Sequence, residues 1–299
     1  MNRREFICEA SALGAALSLP YAVSAKNVQT KEMAMRPIPG TGELLPIVGF
    51  GNSESFRNGD YENSRKLLDV LVDSGGSFVD SWSSSQKVLG RYMHEHGAKN
   101  KLFLATNVGA KNAKESNAAI RYAKEMQGKA VLDLLQLPNP SDFETQWRLM
   151  RNAKDEGHAR YIGLAISRKR YYDMVESSIR SGKIDFIQLN YSILETGSGE
   201  RLLPLARNKG VAVVTNRPFV NGEYFPLVRD RKLPAWAADF DCHSWAQFSL
   251  KFILANPAVN CVITETSKTR HAIDNLSAGF GRLPDEKTRK KMLQLMQSF

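Results

Sequence analysis

Cysteine, histidine and long apolar runs are all scarce in this chain, and each scarcity removes a class of function. Of three cysteines in 299 residues, Cys8 lies near the start, which leaves Cys242 and Cys261 and at most one disulfide. Cys261 falls in the apolar run 260–264 (NCVIT), where a small buried core residue is the plainer reading. The five histidines do not gather. His94 and His96 are two apart on an expected helix and point in different directions; His158, His243 and His271 stand singly. No Cys/His spacing speaks for zinc or another metal. No apolar run suits a membrane span, since the best one, near the N-terminus, contains Glu9. The formal charge is +10, but the cations are scattered through helical stretches such as RKLL and KTRKKM. Without a basic stripe interleaved with aromatics, a solvated surface explains the charge better than an anionic ligand or envelope does, and nucleic acid is not an expected partner.

A Gly-x-Gly-x-x-Gly turn is missing as well. The segment 49–56 (GFGNSESF) has two glycines but lacks the third and opens no clear helix, which argues against a doubly wound dinucleotide fold.

What is present begins with an export layout. Residues 1–25 carry paired arginines, Arg3 and Arg4, before Phe6 and Ile7, then a weakly apolar stretch, then the small-residue end Val23-Ser24-Ala25. That order predicts a twin-arginine signal peptide, read by the twin-arginine translocase and removed on delivery to the periplasm or beyond. An amphipathic N-terminal helix is the alternative. Arg3 and Arg4 would leave together with Glu5 and Glu9, so the mature chain keeps its net charge. Residues 26–34 form a polar link, and 35–299 form one domain.

In that domain two short apolar runs flank Gly40-Thr41-Gly42, which predicts an N-terminal β-hairpin leading into a strand. Strand-like runs then recur at 45–50, 77–81, 101–107, 132–137, 160–165, 185–190, 211–216 and 260–264. Segments of helical period, such as 62–75 and 147–157, alternate with them, and an insertion from residue 219 to about 238 lengthens the connection before the last strand. Eight strands that are apolar throughout, each followed by a helix, predict an α/β protein with a closed (β/α)₈ barrel. Chemistry in such barrels gathers at the C-terminal strand ends. Here those ends are Gly51-Asn52, Asp80, Asn107, Pro138, Ala165-Ile166, Gln188 with Asn190, Asn216-Arg217 and 264–267. Few of them ionise.

From residue 47 onward the chain resembles the aldo-keto reductases, in the exported twin-arginine branch. The residues that carry the likeness are IVGFGN (47–52), FVDS (78–81) with KVLGRY (87–92), KLFLATN (101–107), LDLLQL (132–137), EGHARYIGLA (156–165), DFIQLNYS (185–192), LPLARNKGVAVVTNRPF (203–219), AQFSLKFILANPAV (246–259) and SKTRHAIDNLSA (267–278). The resemblance implies carbonyl reduction with NADP or NAD. In that family a tyrosine donates a proton, a lysine lowers its pKa, an aspartate holds the lysine and a histidine orients the carbonyl. Carried over by position, the aspartate is Asp80, the tyrosine falls on Ser85, the lysine on Asn107 and the histidine on Pro138.

The cofactor positions implied by the same resemblance are mixed. A Ser-Asn pair that holds the nicotinamide amide falls on Ala165 and Ile166, while Gln188, Asn216 and Arg217 are kept. The phosphate-gripping segment falls on Thr266, Ser267, Lys268, His271 and Asn275, with Glu265 replacing a glycine or lysine. The expectation is therefore an exported reductase-like barrel with impaired or lost reduction, keeping a small-molecule or nucleotide ligand in its mouth or an accessory role. Two alternatives stay open: an active oxidoreductase with a rearranged proton donor, for which Tyr191 and Tyr224 are the candidate phenols, and a partner-binding barrel without ligand. A buried Asp80 without its lysine must collect hydrogen bonds or take up a proton. Ser81, Ser83, Ser84, Ser85 and Asn107 are its expected donors.

Overall fold

The computed structural model describes residues 32–109 and 112–299, so the expected signal and most of the link lie outside the described residues. The chain enters through an antiparallel hairpin, β1 (Met35–Pro37) and β2 (Leu44–Pro46). Eight further strands follow: β3 (Val48–Phe50), β4 (Phe78–Ser81), β5 (Phe103–Asn107), β6 (Leu132–Pro138), β7 (Ala159–Ile166), β8 (Phe186–Asn190), β9 (Ala212–Asn216) and β10 (Cys261–Thr264). They are parallel and close on themselves, β10 pairing with both β3 and β9. This is the expected (β/α)₈ barrel with its hairpin. One boundary differs: the apolar run 45–50 is two strands, because Ile47 turns the chain from the hairpin into the barrel and donates its N–H to Ala34.

Helices α2 (Tyr61–Asp73), α3 (Ser83–Glu95), α4 (Ala113–Gln127), α5 (Phe143–Asp155), α6 (Tyr172–Arg180) and α7 (Gly197–Asn208) return the chain between strands, after a short α1 (Glu54–Asn58). Their starts follow local chemistry. Asp60, Asn112 and Asp142 each cap a helix by accepting a backbone N–H with the side chain. At Gly90, α3 comes so close to α4 that a Cβ would lie 1.6 Å from the Met126 carbonyl oxygen. Only glycine fits that crossing.

Two cores result. Between sheet and helices lies the larger one; inside the barrel lies a second, made by Phe78, Phe103, Leu134, Tyr161, Phe186 and Val214 among others. Ile38 and Leu45 of the hairpin belong to the inner core, so the hairpin plugs the N-terminal end of the barrel. Side chains alternate along a strand. The inward Phe78, Phe103, Leu134 and Phe186 therefore put Asp80, Asn107, Gln136 and Gln188 inward one or two steps nearer the C-terminal mouth.

Cys242 and Cys261 are both buried and both free. The disulfide alternative does not form. The insertion before β10 folds as a short turn at Val220–Gly222, α8 (Tyr224–Val228) and a further turn at Ala235–Phe240, then runs into α9 (Trp245–Leu254). The chain ends through α10 (Thr269–Ser277) and α11 (Glu286–Gln297). Among the described residues, no helix is long and apolar enough to cross a membrane.

Candidate functional site

A cavity of about 840 Å³ opens at the C-terminal mouth, at the upper end of the usual size for ligand sites. Asp80, Trp82, Gln188, Asn216, Arg217 and Glu265 are on its wall, with Phe219 and Phe225 from the insertion. Asp80 is 5% exposed. One of its oxygens accepts from the Asn107 amide nitrogen at 2.6 Å, and the other from the Trp82 indole N–H at 3.0 Å. Among the described residues no cation pairs with it. Burial pushes its carboxyl up to about 7, the two hydrogen bonds pull the other way, and the charge of Glu265 adds to the rise.

Trp82 is the partner that sequence reasoning missed. The serines named as donors do not reach Asp80. Ser85 is fully buried and spends its hydroxyl on the start of α3, accepting from the Trp82 N–H and donating to the Trp82 carbonyl, each at 3.0 Å. Ser81 Oγ has no partner among the described residues, whereas Ser83 and Ser84 line the cavity. The available signal was the position of Trp82 two residues past an inward acid, where an indole N–H can fold back over the strand end.

Asn107 also donates to the Ser81 carbonyl at 3.3 Å, and its own Oδ1 has no partner among the described residues. Pro138 ends β6 in register with Ala165. The two candidate phenols are elsewhere. Tyr191 is buried against Phe252 and contacts Arg289, and Tyr224 donates to the Trp245 carbonyl at 2.9 Å. Neither lines the cavity, and burial drives the Tyr224 phenol pKa upward, away from proton donation.

Several buried polar oxygens at the mouth have no partner among the described residues: Asn52 Oδ1, Gln188 Oε1, Asn216 Oδ1 and Thr264 Oγ1. Such groups are costly unless a ligand or water satisfies them. Ala165 and Ile166 give nothing polar, but the next residue, Ser167, lines the cavity and is fixed by Asn139, whose amide donates to Ser167 Oγ at 3.0 Å. A second cavity of about 360 Å³ shares Phe219, Phe225 and Glu265 with the first and continues along Thr266, His271 and Asn275. Lys268 stands at the N-terminal cap of α10 without a side-chain cap bond, and Ser267 accepts from Asn63 through its carbonyl at 2.9 Å. The exposed backbone N–H groups of such a helix start favour a phosphate. Loss of solvent and the neighbouring Arg270 and Lys268 hold the His271 pKa below its ordinary value.

Glu265 lies at the junction of the two cavities. A Cβ at Gly51 would fall 2.6 Å from its Cγ, so the residue that follows β3 must be glycine for this side chain to lie across it. Arg57 of α1 faces it at 3.9 Å. Burial raises the Glu265 carboxyl and Arg57 lowers it. Among the described residues no three His, Cys, Asp or Glu side chains gather as metal ligands.

Residues 48–290 match the family model described as the aldo/keto reductase family. The chain belongs to the aldo/keto reductase family. Solved reductases agree in fold. The holo form of aldo-keto reductase AKR11C1 from Bacillus halodurans has a TM-score of 0.72 at 20% identity, over 89% of this chain and 96% of that one. An aldo/keto reductase from Klebsiella pneumoniae, in complex with NADP and acetate, has a TM-score of 0.72 at 16% identity over the same shares. The thermostable aldo-keto reductase Tm1743, in complex with the inhibitor epalrestat, has a TM-score of 0.71 at 18% identity, over 88% and 100%. No curated protein sequence matches the chain.

Proposed function

We propose that this family member binds NAD(P)(H) in the mouth of its barrel but has lost the family's carbonyl reduction, and that it acts after export by the twin-arginine route. The observation that carries the first half is the cavity wall: among the described residues it holds no phenol, imidazole or lysine ammonium. Losing a positioned general acid costs about 10²–10⁴ in rate. Ser85 is committed to a helix start, Asn107 to Asp80, and Pro138 has no polar group to offer.

The residues present suit the cofactor. Gln188 Oε1 and Asn216 Oδ1 are unpartnered acceptors for a carboxamide N–H, with Ser167 beside them, and the start of α10 with Lys268 and Arg270 suits the phosphates. The joined cavities give room for an extended molecule. A bound reduced nicotinamide would supply a hydride donor. The chain's own part is to hold it and, through Phe219 and Phe225, to shield it from water. The Klebsiella pneumoniae reductase in complex with NADP supports the same reading.

Titrating the purified protein with NADPH and with NADH, by calorimetry, is expected to show saturable binding of at least one. Absence of binding by either would favour a partner-binding barrel without ligand. A second reading rests on one observation: with its carboxyl pushed up to about 7, Asp80 is partly protonated at neutral pH and could act as the proton donor. Turnover of a carbonyl panel, abolished in Asp80→Asn, would establish that reading instead. Export rests on Arg3-Arg4 and the small-residue end at 23–25, and fusing residues 1–25 to a reporter tests it by twin-arginine-dependent translocation.

A further inference from the structure

Charge at the mouth does not balance. Of the two acids on the cavity wall, Asp80 is close to half-protonated at neutral pH, and Glu265 is faced by Arg57. Arg217 is left over. Among the described residues no carboxylate lies within ion-pair reach of it. Among the described residues its side-chain bond is Nε to Asn221 Oδ1 at 3.2 Å, and neither terminal nitrogen of the guanidinium is spent on any of them.

The backbone that presents Arg217 is strained. Its φ is +53°, left-handed, although Pro218 follows, and a residue before proline is normally forced into extended conformation. Val220 at +48° and Asn221 at +55° are left-handed as well, and Val is β-branched. Surrounding contacts impose this shape. The Ser249 hydroxyl holds the Pro218 carbonyl at 2.8 Å, Val220 N–H bonds the Arg217 carbonyl at 3.0 Å, and Gly222 N–H bonds the Phe219 carbonyl at 2.9 Å. Strain held in place by several bonds is a mark of functional segments. What it achieves is to turn a half-buried, unpaired arginine toward the cavity, beside the rings of Phe219 and Phe225, whose centroids are 4.9 Å apart. Trp82 and Phe225, 39% and 41% exposed, offer further apolar ring surface on the same wall.

We propose that Arg217 is a specificity-determining residue for a second ligand, one that carries a carboxylate or phosphate on a planar apolar ring. The guanidinium takes the anion through two parallel N–H bonds, as its fork geometry favours, and the ring packs on Phe219 and Phe225. The resemblance counted Arg217 among the cofactor positions; this proposal gives it instead to a ligand besides the dinucleotide, and it rests on the reading above only for where that ligand sits.

The test uses benzoate and phenyl phosphate as probes and benzamide as the uncharged counterpart, titrated by calorimetry into the full-length protein. Each probe is measured against the native protein, Arg217→Lys and Arg217→Met, with unfolding midpoints recorded to confirm that the variants fold. The expected result is that one or both anions bind the native protein about tenfold or more tighter than benzamide, that Arg217→Met brings this ratio close to one, and that Arg217→Lys falls between. Equal affinity for anion and amide in the native protein, no anion binding at all, or a ratio unchanged in a folded Arg217→Met would each overturn the proposal. If benzoate and phenyl phosphate differ, the tighter one names the anion. The NADPH titration is a separate measurement, so failure of dinucleotide binding with the anion preference intact would overturn the earlier reading and leave this one standing.

Discussion

Asp80 shows how a buried acid is met by neutral donors, with no cation beside it among the described residues. Its two oxygens are met by one indole and one amide, which satisfies them as acceptors but neutralises nothing, and the carboxyl holds its proton to about pH 7. The sign of the consequence follows from linkage. An unfolded Asp releases its proton near 4, the folded one near 7, so between those values the folded state binds more protons and stability falls as pH rises. Below the lower value the contribution is fully present, and above about 7 it is gone, a change on the order of a few kcal/mol. Asp80→Asn cannot ionise, and a turned Asn107 amide would offer Oδ1 to the new amide nitrogen. Urea unfolding of the two proteins from pH 4 to pH 8 is expected to show the native midpoint falling through this range and that of Asp80→Asn falling less. Parallel curves would show that Asp80 ionises normally.

At this scale the sequence was half legible. Asp80, Gln188 and Asn216 were readable as inward residues at strand ends. Trp82 was not, because the turn that brings an indole back over its own strand is set by three-dimensional closure and leaves no periodic trace. The serines were misread for the opposite reason: their composition suggested a donor cluster, but Ser85 is consumed by its own helix start.

Among elements, the barrel strands were legible because a strand buried on both faces must be apolar throughout, and its polar residues then mark its ends. Asn107, Pro138, Asn190 and Asn216 each terminate a strand as expected. The bend at Ile47 was not legible, since the hairpin and the first barrel strand share one uninterrupted apolar run. The left-handed segment from Arg217 to Gly222 was largely hidden: Asn221 and Gly222 are residue types that favour positive φ, but Arg217, which stands before a proline, and the β-branched Val220 are not. Helix packing supplies a prediction of its own. Because α3 meets α4 at Gly90 with no room for a methyl group, Gly90→Ala must push the helices apart, and a loss of about 3 kcal/mol or more is expected by denaturant unfolding. A midpoint within error of the native protein would mean that the crossing is looser than the structure shows.

Over the whole molecule, the proposed reading separates the family's scaffold from the family's chemistry. The barrel, its hairpin plug, the extended cleft and the helix start suited to phosphate are all in place, which fits the general rule that a fold carries function only through the groups at its site. Apart from the Asp80 carboxyl, the cavity wall holds no phenol, imidazole or lysine ammonium among the described residues. The account therefore turns on whether a nicotinamide held in this mouth can pass its hydride to a carbonyl. The direct measurement is the rate at which NADPH, saturating the purified protein, is oxidised by a panel of aldehydes and ketones. The account predicts no loss of reduced-nicotinamide absorbance beyond that of NADPH and carbonyl alone. Oxidation well above that background, lost in Asp80→Asn, would contradict it.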